Sequence, residues 1–305
     1  VILGKREHFT LDHYNSQRGT APAELCELVV HCLELVALLG SEKLAFRFKG
    51  GNSLLLLLED PQRFSIDVDI VTTESKAQLT DLVAGIVERS DVFQRWEARA
   101  PKTKPWLPLI SFKLYFASHY QAPEDAFVML DAVLEPPPYA GERRQVRCGS
   151  IYEANVDVEV PSVAGLIGDK LLTIGPSTLG IPLGKGKEAQ RLKHVFDVSL
   201  LSRQPHDLEG VRLSLRGCRE QEQAMQGRSF SWDDILLDTR KFCAEALQFS
   251  APPPALSVEP GTYLAEIVTG FEGFRKHLFK LDYSWELFRG DCQRVIQLLD
   301  AVGAP

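Results

Sequence analysis

Two aspartates, Asp67 and Asp69, stand two residues apart in the stretch Ile66-Asp67-Val68-Asp69-Ile70-Val71. Strict alternation of apolar and polar residues is a strand pattern, and its period of two puts both carboxylates on one face. Side by side they repel unless a cation sits between them. Mg²⁺ suits a site with few protein oxygens plus phosphate oxygens. A solvated outer strand face would show the same alternation, so the pair alone does not define a site.

The segment before it adds weight. Leu44 to Phe48 reads as a strand running into Lys49-Gly50-Gly51-Asn52-Ser53, and Leu54 to Leu58 reads as a short buried helix. A strand, two glycines and a helix start leave backbone N–H groups free to cradle phosphate, and Asn52 and Ser53 add side-chain donors. A tight strand–helix turn without a ligand would use the same glycines. A third carboxylate would complete a two-metal site. Asp131 is the candidate, as the lone charge between Phe127 and Leu134, because a buried unpaired carboxylate is costly. Backbone donors or a nearby arginine could equally satisfy it.

The elements that must position these residues follow from periodicity. Helical spacing covers 22–39 and 75–89, and two further strands, 108–117 and 126–134, are close enough in sequence to pair antiparallel. Weaker strands cover 144–149 and 156–160. Beyond Pro161 helical patterns dominate, over about 162–174, 188–202, 207–226, 231–248, 261–279 and 284–301. The expected organisation is therefore α+β: an α/β domain over 1–160 and an all-helical domain over 161–305.

In the first of those helices, Val163, Leu166, Ile167, Leu171 and Ile174 form one apolar stripe, and Lys170 falls inside it. A lysine aimed at a core needs an anion, unless it snorkels past the stripe's edge to solvent. Asp197, between Phe196 and Val198, could pair with Lys193 at i,i+4 or with Lys170.

The chain carries 34 Lys+Arg against 41 Asp+Glu, a formal net charge of −7, which excludes a broad polyanion-coating surface. The excess is uneven: residues 1–160 hold 17 basic and 23 acidic residues, leaving 17 and 18 for 161–305. Nucleic acid would have to be met by a local patch, and Lys185, Lys187, Arg191 and Lys193 form the candidate cluster. The six cysteines include no C-x-x-C pair, which in a chain this long reads as free thiols in a reducing, cytoplasmic setting. The absence of an 18-residue apolar run gives no expectation of a transmembrane helix or a membrane partner.

Taken together, Lys49-Gly50-Gly51-Asn52-Ser53-Leu54 followed by Arg63-Phe64-Ser65-Ile66-Asp67-Val68-Asp69 resembles the AbiEii/AbiGii nucleotidyltransferase toxins (MenT-like), within the polymerase-β-like nucleotidyltransferase superfamily. Two later motifs agree in order: Gly168-Asp169-Lys170-Leu171-Leu172, and Lys193-His194-Val195-Phe196-Asp197-Val198. The resemblance covers residues 44–203. Asn52 stands where the family usually has Thr or Ser, and Ile66 where an acidic residue is common.

The resemblance implies a polymerase-β-like domain with a mixed sheet, followed by a helical domain that completes the active-site cleft. It implies transfer of a nucleoside monophosphate from an NTP to an acceptor, releasing pyrophosphate. Asp67, Asp69 and Asp131 would hold Mg²⁺. Gly50, Gly51, Asn52, Ser53, Ser65 and Lys170 would bind the nucleotide's phosphates. Asp67, Asp69, Lys170 and Asp197 would be the catalytic set. In some family members the acceptor is the tRNA 3′ end, and a cognate antitoxin is expected as partner. The competing readings are a nucleotidyltransferase that modifies a small molecule or a protein, and a non-catalytic nucleotide-binding module on the same scaffold.

Overall fold

A computed structural model describes every residue except Lys43 and residues 100–106. Among the described residues the chain forms two units. The first takes Val1–Pro137, Gly141–Pro161 and Phe279–Leu281; the second takes Pro138–Ala140, Ser162–Leu278 and Asp282–Pro305.

The first unit runs α1 (Leu11–Gln17), α2 (Ala23–Ser41), β1 (Phe46–Lys49), α3 (Leu54–Leu57), β2 (Asp67–Thr72), α4 (Lys76–Arg89), β3 (Phe93–Arg99), β4 (Leu109–Phe116), β5 (Phe127–Val133), β6 (Gly141–Cys148) and β7 (Tyr152–Pro161). The strands form one mixed sheet in the order β3-β4-β5-β2-β1-β7-β6. β1 pairs antiparallel with β2, while β2 pairs parallel with β5. β4 and β5 form the expected antiparallel pair.

Helix α2 packs along the sheet against β7, β2, β5 and β6. Fourteen of its residues are buried, from Cys26 to Leu39, so its polar members need partners inside the protein. Glu34 accepts the backbone N–H groups of Leu3 and Gly4 and the Tyr152 hydroxyl. Glu27 accepts the Ser118 hydroxyl and the His119 N–H. Helix α4 starts on a Ser75–Gln78 capping box and covers β3.

Two elements, α1 and β3, were not expected from the sequence. β3 is an edge strand, and Gln94, Arg95, Glu97, Ala98 and Arg99 are all exposed, so it shows no apolar alternation. The return segment Phe279–Leu281 also belongs to the first unit, with Phe279 buried. Phe279 stacks on Phe64, with ring centroids 4.2 Å apart and 9° between planes. Its N–H donates to the Gln62 carbonyl and its carbonyl accepts from Thr20 N–H. Lys280 pairs with Asp60.

The second unit is helical: α5 (Val163–Ile174), α6 (Glu188–Leu201), α7 (Leu208–Gln226), α8 (Trp232–Leu247), α9 (Tyr263–Arg275) and α10 (Trp285–Val302). Helix α5 is capped by Ser162, whose side chain accepts from Gly165 N–H, and packs on α6, α7 and α8. Gly168 lets α7 come close: a Cβ there would lie 2.5 Å from Ser214 Oγ. All six cysteines of the chain are buried and free. No described helix is long and apolar enough to cross a membrane.

Candidate active site

In β2 the alternation turns Val68 and Ile70 into the core, leaving Asp67 exposed and Asp69 half-buried on the other face. β5 repeats this: Val128, Leu130 and Ala132 are buried, while Phe127, Met129 and Asp131 are half-buried. Strand register then sets the neighbours. Asp69 lies opposite Asp131 and Asp67 opposite Met129. Lys49 lies opposite Asp69 on the other side, and Ser111 opposite Asp131. The row across the sheet therefore reads Lys49, Asp69, Asp131, Ser111, with two carboxylates at its centre. Ser111 Oγ donates to Asp131 Oδ1 and fixes that carboxylate. Ser111 carried no signal in the sequence, because its partner lies on another strand.

The glycine turn abuts this row. Gly50 has φ +75°, and a Cβ there would overlap the Asp69 carboxylate, so only glycine fits without strain. A Cβ on Gly51 would lie 2.6 Å from Arg63 Nη2 and 2.8 Å from Ser65 Oγ. Arg63 and Ser65 thus converge on the turn with the carboxylates. Arg63 is buried and braced by its own bond to the Phe64 carbonyl.

The side chains of Asn52 and Ser53 are placed differently from the sequence expectation of phosphate donors. Both are fully buried. Asn52 Nδ2 donates to the Asp67 carbonyl at 3.3 Å, and Ser53 Oγ to the Gly50 carbonyl at 2.9 Å. They shape the turn and tie it to the first residue of β2. Among the described residues, none accepts a hydrogen bond from the backbone N–H of Gly51, Asn52 or Ser53. With Asn52 and Ser53 fully buried, the half-buried Gly51 is the residue of these three whose backbone N–H can meet an anion.

Among the described residues no group of three His, Cys, Asp or Glu side chains is close enough to hold a metal ion unaided. Mg²⁺ does not require one: it is usually held by one or two carboxylates, with waters and substrate phosphates completing its shell. Asp67 and Asp69, beside the Gly50-Gly51 turn, fit that donor set.

In the second unit, Lys170 on α5 is buried, only 3% exposed. Its Nζ lies 2.7 Å from Asp197 Oδ2 on α6. Of the alternatives open for these residues, the structure selects the Lys170–Asp197 pair over snorkelling. Close by, Thr173 Oγ1 donates to the Lys170 carbonyl at 2.8 Å and bonds His194 Nδ1.

The cluster expected to meet nucleic acid is divided. Lys185 and Lys187 are exposed. Arg191 is fully buried, donating to the Ile174 and Ile181 carbonyls and to Glu266. It ties the 175–187 connection to α9 and offers nothing to a partner.

A family model described as nucleotidyl transferase AbiEii toxin, type IV toxin–antitoxin system, matches residues 35–260. Among solved structures the chain is similar to MenT4, a nucleotidyltransferase toxin from Mycobacterium tuberculosis H37Rv. The identity is 16% and the TM-score 0.51, covering 95% of this chain and 97% of that one. It is also similar to an antigenic nucleotidyltransferase-like protein from Paracoccidioides brasiliensis, at 15% identity and TM-score 0.37, covering 70% and 97%. No curated protein matches the chain.

Proposed function

The chain belongs to the AbiEii family of nucleotidyltransferase toxins, and from that premise we propose that it is a cytoplasmic, Mg²⁺-dependent enzyme that moves a nucleoside monophosphate from an NTP onto RNA, with the tRNA 3′ end as acceptor. The observation that carries this is the register row: Asp69 beside Asp131, Asp67 two residues away on the same face, and the Gly50-Gly51 turn packed against Asp69.

Asp67 and Asp69 would hold Mg²⁺, with waters and phosphate oxygens completing its shell, and Asp131, beside Asp69 in register, would serve as a neighbouring carboxylate rather than the third ligand expected from the sequence. The bound ion would neutralise charge at the α-phosphate and polarise the acceptor hydroxyl. The N–H group of Gly51, with Ser65, would hold the β- and γ-phosphates as the pyrophosphate departs. Asp131, oriented by Ser111, takes the acceptor proton. On the strength of the motif match we assign Lys170 and Asp197 to the same reaction, with Lys170 directed to phosphate and Asp197 orienting it. Activity of this kind blocks the acceptor and calls for a cognate antitoxin to restrain it.

The test is incubation with total RNA, Mg²⁺ and each α-labelled NTP in turn. Label in tRNA is expected from the parent, with transfer about two to three orders of magnitude lower in Asp67→Asn plus Asp69→Asn. Label in protein or a small molecule, or transfer unchanged in the double variant, overturns the reading.

A further inference from the structure

The carboxylate face does not end at Asp131. Register carries it across β4 to β3: Asp67 faces Met129, Met129 faces Lys113, and Lys113 faces Glu97. The neighbouring rows are Asp131, Ser111 and Arg99, and Phe127, Tyr115 and Arg95. One continuous face therefore runs from the carboxylates to the sheet edge, carrying Lys113, Arg95 and Arg99 against one anion, Glu97. Two cations rest on aromatic rings. Lys113 Nζ lies 3.8 Å from the Phe127 centroid and the Arg95 guanidinium carbon 3.3 Å from that of Tyr115. Glu97 is already engaged by Arg95 at 2.8 Å and by the Tyr115 hydroxyl at 3.0 Å. That hydroxyl, followed by Arg95 and Lys113, holds its carboxyl below the usual range.

We propose that this β5–β4–β3 face is the seat of the acceptor: an unpaired polynucleotide end laid across Met129 and Phe127, its phosphates met by Lys113, Arg99 and Arg95. The inference rests on the nucleotidyl-transfer reading and gives it a direction. In-line displacement puts the attacking and leaving oxygens on opposite sides of the α-phosphorus. The Gly50–Ser53 turn lies on the β1 side of the carboxylates and takes the leaving pyrophosphate. The hydroxyl therefore arrives from the β5 side, and the chain behind it runs over β4 toward β3. Lys113 is two strand spacings from Asp67, about 10 Å. A cationic face interleaved with aromatic residues offers the two components, phosphate neutralisation and base stacking, that sequence-tolerant binding of single strands uses.

The experiment measures anisotropy of a short fluorescein-labelled single-stranded RNA of mixed sequence, and of its DNA counterpart. The full chain is used in EDTA without NTP, over a range of salt. Lys113→Gln is compared with Arg95→Gln plus Arg99→Gln, whose side chains are exposed and whose removal leaves the core alone. Each variant is expected to weaken RNA binding about 3- to 10-fold near 50 mM salt. The slope of log affinity against log salt should flatten by about 0.7 per cation lost. Binding of a fluorescent NTP analogue with Mg²⁺ should change less than about twofold, the readout a merely structural effect would move. DNA bound as tightly as RNA assigns the face to any unpaired strand; a tighter RNA complex adds selection at the sugar. Unchanged RNA affinity and slope in both variants, while the parent still labels RNA, overturns this surface alone. A parent that labels no RNA overturns the reading and the surface together.

Discussion

Replacing Lys170 with Met would leave Asp197 as a charge sealed in the second unit. The two side chains lie 2.7 Å apart, with relative exposures of 4% and 0%. At an effective dielectric near 20 their attraction is about 6 kcal/mol, and the cost of drying two ions offsets most of it. The intact pair therefore contributes little net stability. Removing one member is another matter, because the survivor keeps its desolvation cost and loses the opposite charge 2.7 Å away, about 3–5 kcal/mol. Lys170→Met and Asp197→Leu should each lower the urea midpoint of the second unit by about 2 M, for an m-value near 2 kcal/mol/M. The double variant, with no charge left, should recover most of that loss. Urea unfolding followed by circular dichroism and tryptophan fluorescence reads all four corners of the cycle. Single variants within about 1 kcal/mol of the parent, or a double variant as damaged as the sum of the singles, would refute the account. The double variant also separates architecture from chemistry. If it folds and still transfers nucleotide at the parental rate, Lys170 serves packing alone and its assignment to phosphate fails.

Gly50→Ala forces a side chain into φ +75° and against the Asp69 carboxylate. A loss of about 1–3 kcal/mol, seen by thermal melting, should accompany near-complete loss of transfer. Ser111→Ala removes the hydroxyl that holds Asp131. The rate of transfer should fall about 10- to 100-fold at unchanged NTP KM, the kinetic cost of one hydrogen bond to a charged group. His31, buried and stacked on Phe116 with centroids 3.7 Å apart, is held down to a pKa of about 4 by burial. Its neutral form is the folded one, so its contribution is complete above pH 6.5 and is lost as pH falls from there toward 4. The loss amounts to about 3 kcal/mol. His31→Leu should flatten that part of the pH–stability curve, and a curve of unchanged shape would count against the assignment.

What could be read from the chain depended on whether a residue's role left a local pattern. Asp67 and Asp69 were legible because every second residue of β2 is apolar. Asp131 was legible as a charge in an apolar run, and the Gly-Gly turn because only glycine tolerates the backbone there. Strand β3 was hidden because an edge strand with most of its residues exposed loses the alternation that marks a strand. Ser111 and the β4–β3 cations become meaningful only through register, which is a property of pairs of strands. Asn52 and Ser53 looked like phosphate donors because their chemistry fits. Their burial follows from the turn closing over them, and nothing in a short motif says which way a side chain points. Arg191 was misleading for the same reason: a run of basic residues reads as one surface, although one member is turned inward to the Ile174 and Ile181 carbonyls and Glu266.

The return of residues 279–281 to the first unit fixes an order of events in the life of the molecule. Phe279 supplies a ring to Phe64, one residue before Ser65 and three before Asp67, and closes hydrogen bonds to Gln62 and Thr20. During synthesis the carboxylate strand is made well before the piece that packs on its approach, with the helices of the second unit made in between. A ribosome that stalls or drops off after the sheet therefore releases a fragment lacking that support. For a protein whose activity threatens the cell that makes it, completeness of the polypeptide becomes a condition on the site being finished.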